Sequence, residues 1–149
     1  MKIFTMKNGI LAALAAVGTL ISEALGGWDD ALILLATFVV MDLITGWMVA
    51  AIWKKSPKSA TGAMDSKANF KGLCKKVVIF CLVALGARLD VTLGTTYIRT
   101  AIILFFVGNE GLSLVENLGI MGVPFPAFIK NMLDVLREQG DKGKEGKKV

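Results

Sequence analysis

Long apolar runs separated by short charged interruptions dominate the chain. The longest run, Ala31 to Trp53, is 23 residues with a single acid near its centre, Asp42. A helix of roughly 20 apolar residues crosses a bilayer core about 30 Å thick, so this run predicts a membrane span. A carboxylate near mid-membrane is costly and is expected to face protein or water rather than lipid. Before it lies a first run, Gly9 to Leu25, with Ser22 and Glu23 near its end. The third run is weaker. Val77 to Ala87 is clean, Cys74, Lys75 and Lys76 precede it, and it spans only if Arg88 and Asp90 lie at the interface. The fourth, from Tyr97 to Met121, contains Arg99, Asn109, Glu110, Glu116 and Asn117.

After Gly122-Val123-Pro124-Phe125-Pro126, a break, Ala127 to Gln139 sets Phe128, Ile129, Met132, Leu133, Val135 and Leu136 opposite Lys130, Asp134, Arg137 and Glu138. This amphipathic pattern predicts a helix lying on the inner membrane surface, with a partner-binding helix as the alternative. Residues 140–149 are rich in Gly and Lys and are expected to be disordered. The expected fold is an all-α integral membrane protein with a single membrane domain over residues 1–139. It has about four transmembrane helices (about 9–25, 31–53, 73–93 and 97–121) plus the amphipathic interfacial helix at 127–139. Three spans, with the fourth run re-entrant or interfacial, is the alternative.

Charge placement orients this arrangement. The net charge is +5, and residues 54–76 carry Lys54, Lys55, Lys58, Lys67, Lys71, Lys75 and Lys76 against Asp65 alone. Lys2, Lys7, this basic loop and the basic tail all fall on one side of a four-span chain. By the positive-inside rule that side is the cytoplasm, with both termini inside. The basic block borders apolar spans and lacks interleaved aromatics, so anionic lipid rather than nucleic acid is its expected partner. The N-terminus superficially resembles a signal peptide, but no clear A-x-A site follows and cleavage is not expected.

Composition narrows the chemistry. The chain is 54% hydrophobic, with a mean hydropathy of +0.63. It contains no His, which removes histidine catalysis and histidine metal ligation. Cys74 and Cys81, seven residues apart in one expected helix, are about 10 Å apart in rise, too far for a disulfide; they read as small apolar filler. No G-x-S-x-G, P-loop or C-x-x-C pattern is present. Neither an enzyme nor a cofactor or metal site is expected.

The polar groups inside the runs are the candidate functional residues. At 100° per residue, Asn109, Glu110, Ser113, Glu116 and Asn117 fall within an arc of about 120°. Asp42, Thr45 and Gly46 share a face of the second run; Thr19, Ser22 and Glu23 share one of the first. Two readings stay open. The groups hydrogen-bond one another and lock one bundle, with some carboxyls protonated by burial, or they line water once several copies assemble. Glu110 and Glu116 at the inner interface, merely capping a helix, is a third. Gly18, Gly46, Gly86 and Gly111 are expected at close helix contacts.

Several segments in order resemble the toxin-secretion and phage-lysis holin family, over roughly residues 25–138. They are Gly27-Trp28-Asp29, Asp42-Leu43-Ile44-Thr45-Gly46, Phe70-Lys71-Gly72-Leu73 with Lys75-Lys76, Asn109-Glu110-Gly111-Leu112-Ser113-Leu114-Val115-Glu116-Asn117, and Gly122-Val123-Pro124 with Pro126. The resemblance implies a small protein of the bacterial cytoplasmic membrane that accumulates, then oligomerises into lesions. These would admit an endolysin to the wall or let a toxin leave. Its implied partners are membrane lipids and further copies of itself, with the endolysin a functional partner without stable contact. A small channel or transporter using Asp42, Glu110 and Glu116, and an adaptor acting through 127–139, are the competing classes. Met1 and Met6 are both candidate starts, which would make two products differing by one N-terminal Lys.

Overall fold

A computed structural model describes residues 2–59 and 61–142, with side chains from 7 to 59 and from 61 to 139. The described residues are all-helical: α1 (Lys2–Ala24), α2 (Asp30–Met48, prolonged by a π-helical turn over Val49–Trp53), α3 (Ser66–Leu93), α4 (Ile98–Met121) and α5 (Ala127–Lys142). Helix starts follow capping chemistry. Asp29, in extended backbone, accepts a hydrogen bond from the Leu32 amide at 2.9 Å, and Asp65 accepts one from the Lys67 amide at 2.8 Å. Each carboxylate satisfies an amide that the first turn leaves open. Lys54, Gly94 and Gly122 end α2, α3 and α4 in left-handed backbone, which glycine adopts without strain.

Helices α2, α3 and α4 form the bundle. Leu25, Leu32, Leu35, Val39, Ile79, Val83, Ile103 and Val107 make its buried core. The approach of α3 to α4 is close: a Cβ on Gly86 would lie 3.0 Å from the Arg99 Cα. α1 stands apart. Every residue from Lys7 to Ile21 is exposed, and the helix joins the bundle only at its C-terminal end, where Leu25 is buried.

The structure differs from the sequence expectation in four places. α3 begins at Ser66, because Asp65 caps it. Lys67, Lys71, Lys75 and Lys76 therefore stand on a helix and not in a basic loop. Two helices, Asp30–Trp53 and Ile98–Met121, are long and apolar enough to cross a membrane, fewer than the four expected. Only 28% and 39% of their most apolar stretches are buried, whereas the core helix of a soluble domain is buried over most of its length. α5 is amphipathic as expected, but it folds back antiparallel along α4 instead of lying free. Gly108 and Gly111 leave a groove there: a Cβ on Gly108 would meet the Leu133 carbonyl oxygen and the Arg137 amide at 2.6 Å, and one on Gly111 the Leu133 side chain at 2.6 Å. Of the expected disordered tail, Gly140 to Lys142 continue α5 and 143–149 lie outside the described residues.

Candidate functional site

The interior of the bundle is charged. Lys76 of α3 is buried between two acids. Its Nζ donates to Asp42 Oδ2 of α2 at 2.7 Å and to Glu110 Oε2 of α4. Asn117 of α4 extends the cluster. Its Nδ2 donates to Asp42 Oδ1 at 3.0 Å and to Thr45 Oγ1 at 3.0 Å. Lys58, from the loop after α2, brings a second ammonium to 3.6 Å from Asp42. Two carboxylates thus meet two ammonium groups, and the cluster is neutral. No buried side-chain polar atom among the described residues lacks a partner, the condition under which buried charge is tolerable.

Depth along the helices is matched. Asp42 lies about 11 residues from Trp53, Lys76 about 10 from Ser66 and Glu110 about 11 from Met121. At 1.5 Å per residue all three sit about 15–17 Å from the same end of the bundle, half-way through a bilayer-length helix. From that end a cleft of about 330 Å³, lined by Lys58, Lys71, Lys75, Asn109 and Ser113, reaches down to the cluster. On the other side of the cluster lies the apolar core.

A second polar cluster closes the opposite end. Arg99 is buried at the start of α4. Its guanidinium donates to the Leu25 carbonyl at 2.6 Å, to Asp29 Oδ2 at 2.5 Å and to the Gly27 carbonyl at 3.0 Å. Asp90 of α3 accepts from the Ile98 and Arg99 amides at 3.0 and 2.9 Å and from the Thr95 hydroxyl at 2.6 Å. It caps α4 from a neighbouring helix. The Arg99 guanidinium holds the Asp29 carboxyl below its ordinary value, because its charged form gains the hydrogen bonds.

The candidate residues therefore divide. Asp42, Thr45, Glu110 and Asn117 come together inside one chain. Asn109 and Ser113 are half-buried on the cleft wall, and Glu116 is exposed on the outer side of α4. Glu23 is exposed, its backbone carbonyl accepting from Arg88 at 3.3 Å. Lys54, Lys55 and Lys67 are exposed. Of the glycines expected at close contacts, Gly86 and Gly111 are there, Gly18 meets nothing and Gly46 makes ordinary contact. Gly108 was not foreseen.

Sequence reasoning missed the roles of Lys76, Arg99 and Asp90. A signal existed. Lys76, Ile79, Val83, Gly86 and Asp90 are all buried on one face of α3, as are Arg99, Ile103, Val107, Glu110, Leu114 and Asn117 on α4. A cation in register with an apolar stripe is an interior cation, and two buried acids need one.

The sequence pattern of bacteriophage holins matches residues 19–138, most of the chain. The chain belongs to the bacteriophage holin family. A probable holin of Bacillus phage phi105 is 32% identical over 107 residues, 71% of this chain and 73% of that one. An uncharacterized protein of Listeria innocua is 35% identical over 129 residues, 86% of this chain and 84% of its own length. An uncharacterized 14.9 kDa protein of Clostridium perfringens is 34% identical over 134 residues, 89% of this chain and 96% of that protein. No solved structure matches. Holins are membrane proteins and not a family of enzymes, which agrees with the two long apolar helices.

Proposed function

We propose that this member of the holin family accumulates in the bacterial cytoplasmic membrane and assembles there into lesions that release an endolysin. One observation carries the reading: a Lys76–Asp42–Glu110 cluster, neutralised with Lys58, lies half-way along helices whose outer faces are apolar. A chain built so can enter lipid as a closed bundle, because its charges are spent on one another. It also holds the groups that would line water if helices separated. In this reading α1 to α4 span the membrane with the N-terminus, the loop between α2 and α3 and the turn between α4 and α5 cytoplasmic, and the Arg99 clasp lies outside. Copies meet through surfaces that include the unpartnered α1 and the exposed Glu116 side of α4. Conversion from closed bundle to lesion exchanges contacts within one chain for contacts between chains. Asp42, Thr45, Asn109, Glu110, Ser113, Glu116 and Asn117 then face the lumen.

Inducible expression beside a cytosolic endolysin that lacks its own export signal tests this. A delayed, sudden loss of membrane potential followed by lysis is expected. Steady growth with the protein in the membrane would refute it, and selective, saturable ion flux in intact cells would mark a transporter.

A further inference from the structure

The lysines on α3 have separate fates. Lys76 is held by two carboxylates, whereas Lys71 and Lys75 make no ion pair among the described residues. They lie one helical turn apart, where like charges repel. Both line the cleft of about 330 Å³ between α3 and α4, with Lys58, Asn109 and Ser113 on its walls. Four ammonium groups against the carboxylates of Asp42 and Glu110 leave that cleft with a surplus of two positive charges. It is a ready site for an anion.

What continues from the lysines indicates what the anion carries. At helical spacing, Val78, Leu82, Leu85 and Leu89 fall on the same side of α3 as Lys71 and Lys75. They are 54%, 36%, 53% and 37% exposed. A cationic cleft at one end of a helix thus runs directly into an apolar track along it.

We infer that the cleft binds the phosphate group of an anionic phospholipid, with Lys71 and Lys75 on the phosphate, Asn109 and Ser113 as further donors, and an acyl chain along Val78, Leu82 and Leu85. A free phosphate would share the headgroup chemistry and have no use for the track. The inference rests on the membrane reading proposed above. The bound lipid would bridge α3 and α4 beside the ion cluster, tying the closed bundle to the charge of the inner leaflet.

The test uses the full chain, purified in detergent and examined by native mass spectrometry with phosphatidylglycerol or phosphatidylcholine of identical chains. Phosphatidylglycerol is expected to be retained preferentially. Lys71→Gln with Lys75→Gln removes two exposed charges and should weaken its retention about 30-fold, given the usual contribution of a lysine to anionic-lipid binding. Lys54→Gln with Lys55→Gln, the same charge loss outside the cleft, should leave retention unchanged. Equal losses in both pairs would overturn the site in favour of general charge attraction. Displacement of the lipid by millimolar inorganic phosphate alone would overturn the lipid in favour of a free anion. Recovery of the expressed protein in the soluble fraction of cells would instead defeat the membrane reading, whatever the lipid result.

Discussion

Removing the Lys76 ammonium leaves Asp42 and Glu110 buried together without their shared counter-ion. Breaking one partner out of such a cluster costs about 3–5 kcal/mol, because the remaining charge is stranded. Lys76→Met should therefore lower stability by about that amount in denaturant unfolding in detergent micelles. Adding Asp42→Asn and Glu110→Gln to it should restore most of the loss; an unchanged midpoint for Lys76→Met alone would show that the cluster contributes nothing. Asp29 gives a pH signature. Its carboxyl is held below its ordinary value of 3.8 by Arg99, so in acid the unfolded chain binds the proton first. The contribution of the clasp is complete above about pH 4 and is lost as pH falls from there through the lowered value. Thermal unfolding from pH 7 to 3 should show that decline in the wild type and a shallower one in Asp29→Asn. Neither partnership is local in sequence: Lys76 joins acids 34 residues away on either side, and Asp29 joins Arg99 70 residues on.

Helices were legible where local chemistry defines them. The long apolar runs and Gly122 with two prolines after α4 are readable as they stand. The beginnings of α3 and α4 were less so. The first α3 turns are polar, and the α4 start is capped by Asp90 from another helix. α5 is the clearest case of local pattern without placement. Its amphipathic face fits a membrane surface or a helix groove equally well, and the glycines of α4 decide between them. Gly108→Leu should force α5 away, since the added Cβ meets its backbone at 2.6 Å and backbone cannot yield as a side chain can. Overpacking typically costs about 1–3 kcal/mol, so amide exchange in α5 should accelerate about 5- to 150-fold. Unchanged protection would mean that α5 does not depend on that groove.

The whole molecule is asymmetric from end to end. The Arg99 clasp and an apolar core occupy one end; the basic cleft opens at the other. α1 leans on almost none of it. If this asymmetry reflects a four-span topology, single cysteines in a background lacking Cys74 and Cys81 should label by side. Thr95→Cys and Gly27→Cys should react with an impermeant reagent outside intact spheroplasts, and Ser66→Cys and Val123→Cys, the latter in the turn between α4 and α5, only after permeabilisation. Outside labelling of Val123→Cys would establish three spans.

The apolar runs determined the class, because they are written locally: a bilayer selects for run length. The family pattern could be read for the same reason, from short blocks that survive as contiguous letters. The fate of each polar residue was decided only by tertiary structure. Glu110 and Glu116 lie in one arc on a helical projection, yet one is buried against Lys76 and the other is exposed. A single helix specifies which residues share a face. Which neighbour that face meets depends on how three helices pack, and a buried charge keeps its place only when that packing supplies the opposite one.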